Sequence, residues 1–461
     1  MSRPIVTGRR IGSGMKILYR IGAALAGTLI LLAPALWNGF PLLQYDTGGY
    51  IARWYEGTLE VSRSTIYGLF LNALTRPDFW PAILVQAALT VWILSLVSRL
   101  HGFGARATVI VIAALSVVTA LPFIVDVLLT DIFAGLAVLA IYSLLRFSDL
   151  IKRWERYALL LFIAFSSATH SATMLVLLAM LGMGLFVALF DRRLIAMSQI
   201  FRGTAALLLG AAMLVAANYA VAGRISWTPG GIGILFGRML QTGIATRYLD
   251  DHCPDPRFKL CDYRSELPAS ADAFFWGASV FDRLGRFDGL NDEMRTIVIE
   301  SLTQYPWQQV QAAISATAEQ LVLDATGYGI HTEIWHTHGM IENFVPTALP
   351  GMRAARQFKG ELNFTSINRV HLPVAWGSLV LLAAVIGIGM KQARFADLAW
   401  LAGATSIALL ANAFACGALS NPHDRYGSRM AWLATLIVLL ATLRMWKDQR
   451  YAVRASTIPD K

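Results

Sequence analysis

The chain has 461 residues, of which 56% are hydrophobic and only 15% charged, and its mean hydropathy is +0.54. Soluble globular proteins carry about 25% charged residues, so this composition excludes an ordinary soluble domain. The formal net charge is +10, but the basic residues form no clustered patch of the kind that nucleic-acid-binding proteins carry. We therefore expect membrane lipids, and no nucleic acid, as partners.

Several apolar runs along the chain are long enough to cross a bilayer. A helix needs about 20 residues to do so. Backbone groups in lipid must satisfy one another, and runs of this length do so as helices. The sequence therefore predicts an α-helical polytopic membrane protein. The clearest runs are Ile17–Trp37, Phe79–Val97, Gly203–Ala222, Leu372–Met390, Leu398–Leu419 and Met430–Met445.

Two further runs, Ala107–Phe147 and Tyr157–Phe190, are too long for one crossing and are flanked at both ends by arginines. Basic residues mark the cytoplasmic side, so each run should cross an even number of times. The first should turn at Leu121-Pro122 and the second within Ser166–Ser171. The second turn would place His170 at membrane depth, on the floor of a cavity. The sequence therefore predicts about ten membrane helices in total, with both termini on the cytoplasmic side.

The distribution of basic residues supports this orientation, because 21 of the 39 Lys and Arg fall in the predicted cytoplasmic tails and loops. The first span is interpreted as a retained anchor, with a cleaved signal peptide as the alternative. Three parts are predicted: an N-terminal membrane module (1–222, with a first outer loop at 38–78), a mainly helical periplasmic domain (223–371) and a C-terminal membrane module (372–461). In the domain, a helix should start at Asn291-Asp292-Glu293 and be interrupted at Pro306.

Two of the three cysteines, Cys253 and Cys261, lie in the same outer loop, whereas Cys416 lies within an apolar run. A small loop in an oxidising compartment favours a disulfide between the first pair. The alternative is two free thiols.

Ionisable residues at one level of a membrane are functional candidates, and here they gather at the predicted outer ends of spans. Asp46 follows Tyr45 and precedes two glycines and Tyr50, a setting in which a carboxylate can act as general base and tyrosines can stack on a sugar. Arg425 with His423, beside Tyr426, suits phosphate binding. For each there is a structural alternative: an Asx-turn for Asp46 and interface anchoring for Arg425. The full set is Asp46, Asp126 and Asp131 (catalytic), Arg425 and His423 (phosphate-binding), and Tyr45, Tyr50, Arg63, His170 and Tyr426 (substrate cavity).

A histidine-rich segment contains His331, His336 and His338, but its spacing matches no standard zinc motif. These residues are weak metal candidates that could instead line a substrate groove. No cofactor is expected beyond a divalent metal at such a site.

The layout resembles the C-type glycosyltransferases (GT-C fold): an Asp shortly after span one, an acid-bearing second outer loop, a large outer loop, and a His/Arg-Tyr motif before a late span. The resemblance covers nearly the whole chain. It implies an integral enzyme of the bacterial inner membrane that moves a sugar from a polyprenyl-phosphate donor to a lipid or glycan acceptor on the periplasmic face. By that resemblance, Asp46 matches the first-loop catalytic carboxylate, Asp126 or Asp131 the second-loop acid, and Arg425 a residue that contacts donor phosphate. The paired acids typical of the family's first loop are absent, since Asp46 stands alone.

Three other functions remain open on the sequence: a lipid or glycan transporter or flippase, a polysaccharide polymerase or ligase, and a non-catalytic assembly subunit. Transporters often contain inverted repeats, and the two halves of this chain show no matched pattern.

Overall fold

A computed structural model describes residues 13–456, and this part of the chain is all-helical. The only β-type pairing within it is a parallel bridge between Leu42 and Val127. Some basic residues of the predicted cytoplasmic tails, among them Arg3, Arg9 and Lys461, lie outside the described residues.

Residues 13–222 contain eleven α-helices. They are α1 (Ser13–Leu31), α2 (Ala33–Asn38), α3 (Thr47–Glu56), α4 (Thr65–Ala73), α5 (Trp80–Leu100), α6 (Ala105–Val118), α7 (Leu121–Asp126), α8 (Asp131–Phe147), α9 (Arg153–Thr169), α10 (Ser171–Phe190) and α11 (Met197–Ala222).

The segment that joins α11 to the next membrane-length helix is called the outer segment, after the outer side of the membrane on which the sequence predicts it to lie. It contains α12 (Gly231–Gln241), α13 (Ile244–His252), α14 (Ala271–Trp276), α15 (Val280–Arg283), α16 (Arg286–Gln304), α17 (Pro306–Gln320), α18 (Trp335–Phe344) and α19 (Leu349–Ala354). Three helices follow: α20 (Phe364–Lys391), α21 (Ala396–Ala413), which continues into a π-helical turn at Phe414–Ala418, and α22 (Asp424–Ser456).

Within residues 13–456, six helices are long and apolar enough to cross a membrane. The protein thus has the helices of a multi-pass membrane protein, as predicted. Each of the ten predicted spans coincides with a helix, but α1, α6, α8 and α9 are shorter, so the number ten stays a prediction. The six are Trp80–Leu100, Ser171–Phe190, Met197–Ala222, Phe364–Lys391, Ala393–Ala418 and Asp424–Gln449.

Large apolar side chains point outward from these helices as well as inward. Phe190, Phe201 and Val380 are each at least 70% exposed, a pattern that suits contact with lipid rather than water. In contrast, α8 is apolar all round and enclosed, since every residue from Asp131 to Leu145 is buried. This central helix places the carboxylate of Asp131 inside the protein, at the outer end of the bundle.

The structure has a helix break at each of the two predicted turns, whereas the return of the chain across a membrane at these points stays a prediction. Helix α6 ends before Leu121-Pro122, and α9 ends at Thr169, one residue before His170. Helix α9 continues through most of the predicted turn segment and ends only at Thr169. Ser166 and Ser167 satisfy their hydroxyls by donating to carbonyls of the preceding helical turn.

The outer segment has an apolar cluster of its own, built from helices α12 to α16. A disulfide joins Cys253, at the end of α13, to Cys261, with 5.6 Å between their Cα atoms, as the sequence predicted. Cys416 is a buried free thiol. Helix α16 begins at Arg286 and not at Asn291, because Asp288 supplies the acid of its first turn. The interruption at Pro306 is confirmed, since α17 begins there.

Candidate functional site

A cavity of about 960 Å³ lies between the outer loops and the outer ends of the membrane helices. Apolar and aromatic side chains from α10, α11, α12, the stretch before α12 and Leu419 form the apolar part of the lining, called the apolar wall. The polar part of the lining comes from six separate parts of the chain. Its ionisable, amide and tyrosine side chains are Tyr45, Asp46, Glu60, Arg63, His170, Asn218, Asp272, Arg286, Tyr328, Glu333, His336, Asn421, His423, Arg425 and Tyr426.

Backbone pairing between the first and second outer loops positions Asp46. The N–H of Leu42 donates to the carbonyl of Asp126 at 2.9 Å, and the carbonyl of Leu42 accepts from the N–H of Leu128 at 3.0 Å. The two loops therefore run side by side just before Asp46, which precedes α3, and Asp131, which begins α8. Carboxylates that are far apart in sequence are thus brought to the same end of the bundle.

The two glycines after Asp46 allow close packing within the protein. A Cβ at Gly48 would lie 2.7 Å from the Cα of Thr337, and one at Gly49 would lie 2.5 Å from the Glu60 carboxylate. The Thr337 hydroxyl accepts from the Gly48 N–H and donates to the carbonyl of Gln44. The glycines thus let α3 approach α18 and the Glu60 side chain closely.

A chain of alternating charges starts at Arg63, Asp46 and Arg425, which form the floor of the cavity, and continues behind the floor. The Asp46 carboxylate pairs with Arg63 through one oxygen and with Arg425 Nη1, at 2.5 Å, through the other. Arg425 Nε lies 3.1 Å from Asp131, whose second oxygen lies 3.4 Å from Arg429 Nη1. All except Arg63 are buried residues. Three arginines and two aspartates leave one positive charge in excess, which suits an anion.

The Asp46 side chain makes no hydrogen bond to the start of α3, so the Asx-turn alternative does not describe it. Burial opposes its charge, but the guanidinium groups of Arg63 and Arg425 outweigh burial and hold the pKa of this carboxyl below its usual range. At neutral pH, Asp46 is therefore a carboxylate with both oxygens engaged.

A buried glutamine holds the stretch that carries His423. The amide of Gln320, on α17, donates to the carbonyl of His423 at 3.0 Å and accepts from its N–H at 2.9 Å. The ring contacts the Tyr328 hydroxyl through Nδ1, at 3.0 Å, and its Nε2 lies 3.6 Å from Asp272. Burial lowers the pKa of His423, although the carboxylate of Asp272 acts in the opposite direction.

His170 interrupts two helices in extended backbone, with φ −157° and ψ 123°. The carbonyl of Ala168 accepts from the Ser64 hydroxyl at 2.8 Å, and the indole of Trp227 donates to the Ser171 hydroxyl at 3.2 Å. These two bonds fix the interruption on either side of His170. The His170 ring lines the cavity, and its Nδ1 is enclosed without a hydrogen-bond partner.

Most of the residues that the sequence selected meet at this cavity. Its lining includes Tyr45, Asp46, Arg63, His170, His423, Arg425 and Tyr426, and Asp131 lies directly behind Arg425. Two selected residues lie elsewhere. Asp126 is fully buried and accepts from the N–H of Ala35 at 2.7 Å. Tyr50 is buried in edge contact with Tyr67.

The three histidines of the 331–338 segment diverge. His331 accepts from the N–H of Glu333, His336 is exposed at the cavity, and His338 packs against Phe358. Among residues 13–456, no group of three or more His, Cys, Asp or Glu is placed to hold a metal ion.

Arg429 is not among the candidates that the sequence selected. Arg429 is fully buried in α22, where it donates to Asn412 at 2.7 Å and 3.1 Å and to the Cys416 thiol at 3.2 Å. A sequence pattern could have identified Arg429, because Arg425 and Arg429 are four residues apart and so share one face of a helix. Gln320 and Tyr328, which hold His423, carried no such signal.

Comparison with protein-family models, curated proteins and solved structures finds no match to this chain.

Proposed function

We propose that the protein is a membrane glycosyltransferase of the GT-C type, which moves a sugar from a polyprenyl-phosphate donor to a lipid or glycan acceptor. One observation carries the proposal: a cavity at the outer ends of membrane helices has an arginine-rich floor and a partly apolar wall.

The proposed donor has chemical parts that match the lining of the cavity. Its phosphate is an anion, its sugar is polar and its tail is a hydrocarbon that stays in the bilayer. The apolar wall contains Leu175, Leu214, Ile234 and Leu419 beside Trp227, which suits the tail and the lipid-proximal part of the donor. The excess positive charge of the floor suits the phosphate.

Arg425 is the central phosphate ligand in this proposal. Its planar fork can contact two phosphate oxygens, and its pairing with Asp46 and Asp131 fixes the plane of that fork. Positive charge near the leaving oxygen stabilises the phosphate that departs as the bond to the anomeric carbon breaks. Arg63, at the other side of Asp46, supplies a second cation.

The cellular setting belongs to the same proposal. The excess of Lys and Arg in the predicted cytoplasmic loops orients the cavity toward the periplasmic face of a bacterial inner membrane. There a lipid-linked donor needs no nucleotide site. Residues 223–371 would then form a periplasmic domain.

Purified protein in proteoliposomes provides the test. Polyprenyl-phosphate glucose, mannose and galactose would be supplied with extracted envelope lipids, and the release of polyprenyl phosphate would be followed by mass spectrometry. We expect wild type and the exposed-surface variant Arg257→Ala to consume at least one donor, and Arg425→Ala to lose this activity. Arg257 is a matched control because it pairs with Asp255 outside the cavity.

Each alternative gives a different result in the same assay. A flippase would move the donor between leaflets without cleaving it, and a polymerase or ligase would consume only donors that carry an oligosaccharide. Either result, or consumption that is insensitive to Arg425→Ala, would refute the proposal.

A further inference from the structure

The floor of the cavity contains a carboxylate that is poorly suited to accept a proton. Both oxygens of Asp46 are engaged by arginines, one by Arg63 and the other by Arg425. A general base must bind a proton more readily as it removes that proton from its substrate. The two ion pairs stabilise the charged carboxylate of Asp46 and so make it a weaker base.

Other proton acceptors of the cavity are engaged or exposed. His423 contacts Tyr328 through Nδ1 and approaches Asp272 through Nε2. Glu60 pairs with Arg53 at 2.9 Å. Glu333 and His336 are exposed to solvent.

His170 differs from all of these. Within the described part of the chain its ring makes no hydrogen bond, and because Nδ1 is enclosed, Nε2 is the ring nitrogen that is open to the cavity. The bond from Ser64 to the Ala168 carbonyl ties the His170 turn to the residue that follows Arg63. The ring is thus held beside the arginine floor with Nε2 unpaired.

We propose that His170 is the general base of the transfer and that Asp46 is a positioning residue, which holds Arg63 and Arg425 in place for the donor phosphate. This inference rests on the proposed glycosyltransferase function. In the reaction, the acceptor oxygen forms a bond to the anomeric carbon as the bond from that carbon to the phosphate oxygen breaks. The acceptor hydroxyl proton passes to His170, and polyprenyl phosphate leaves with the electron pair.

The arrangement also couples the base to the donor. Burial opposes a proton on the His170 ring, and the positive charges of Arg429, Arg425 and Arg63 oppose it further. A bound phosphate neutralises part of that charge, so the imidazole accepts a proton more readily once the donor is in place. By linkage, protonation of His170 must strengthen phosphate binding equally.

Two variants separate this role from a structural one. His170→Gln keeps a polar side chain of similar length, and His338→Gln is the matched control because His338 lies outside the cavity lining. With the donor that wild type consumes, we expect His170→Gln to lower kcat by about 100-fold or more, as loss of a general base does. The KM for donor should stay within threefold, and the acid limb of the kcat–pH profile should disappear. Imidazole added to His170→Ala should restore part of the rate.

A second measurement needs no knowledge of the sugar. Binding of sugar-free polyprenyl phosphate would be titrated from pH 5.5 to 8 in wild type, His170→Gln and His338→Gln. We expect the affinity of wild type and of His338→Gln to rise more on acidification than that of His170→Gln. The phosphate and His423 titrate in all three proteins. The difference in pH dependence between His170→Gln and the other two therefore reports the titration of His170.

The outcomes are distinguishable. If wild type neither binds polyprenyl phosphate nor consumes any donor, the proposed function fails and the role of His170 fails with it. If wild type is active and His170→Gln retains its rate and its acid limb, only the role of His170 is refuted. If the acid limb disappears in Asp46→Asn but persists in His170→Gln, Asp46 is the base.

Discussion

Replacing Arg425 with alanine distinguishes a phosphate-binding arginine from an interface anchor. Arg425 is buried, and its guanidinium contacts Asp46 at 2.5 Å and Asp131 at 3.1 Å. Removing one partner of a buried ion pair typically costs about 3–5 kcal/mol, because the other charge is left unpaired. Here Asp46 keeps Arg63 and Asp131 keeps Arg429. We therefore expect a smaller loss of folding free energy, about 1–2 kcal/mol.

We expect Arg425→Ala to weaken donor binding strongly when compared with the control variant Arg257→Ala. A hydrogen bond to a charged group contributes about 1.5–3 kcal/mol, which corresponds to roughly 10- to 100-fold in affinity. Arg425→Ala should weaken binding of polyprenyl phosphate by about that factor. Arg425→Lys should recover only part of it, since an ammonium cannot contact Asp46, Asp131 and a phosphate with one planar fork.

The assay is titration of polyprenyl phosphate against wild type, Arg425→Ala, Arg425→Lys and the control Arg257→Ala in nanodiscs, with unfolding temperatures measured in parallel. Binding that is unchanged in both Arg425 variants would assign this residue to anchoring and remove the phosphate site. Equal binding by the lysine variant and wild type would refute the argument from the planar fork.

Three further predictions concern activity and stability. Asp46→Asn should abolish transfer and lower stability by roughly 3 kcal/mol, because two arginines lose a buried carboxylate; more than a tenth of wild-type activity would contradict this. Cys253→Ser should lower stability by about 2.5 kcal/mol, the value for a short closed loop, and peptide mapping without reductant should find Cys253 joined to Cys261. Burial and the nearby Asp424 raise the pKa of Asp324 to about 7. The folded state therefore holds this proton more tightly than the unfolded chain, and stability should fall as pH rises from about 4 to 7. Asp324→Asn should remove that slope in thermal unfolding, and an unchanged slope would refute the assignment.

Sequence patterns predicted the features that depend on neighbouring residues. Run length and hydropathy identified the membrane helices, because the hydrocarbon thickness sets the length that a helix must have. The turns at Leu121-Pro122 and within Ser166–Ser171 were predicted because the two runs are too long for one crossing and have arginines at both ends. The disulfide followed from two cysteines in one short loop.

The sequence also selected the cavity residues, but it did not predict their partners. It chose Asp46, His170 and Arg425 because polar residues near the ends of apolar runs are rare and costly. It could not distinguish Asp126 from Asp131, which lie in the same short connection. Only Asp131 begins the enclosed helix α8 and faces Arg425.

Tertiary structure alone decided the charge chain. Asp46 and Arg425 are 379 positions apart, and they meet because the first outer loop pairs with the residues before α8 while α22 packs against that helix. An ion pair between distant segments depends on how helices and loops fold together, and no local periodicity encodes it. The same is true of Arg429, which helical spacing places on the face of Arg425 but which only the packing of α21 and α22 encloses with Asn412.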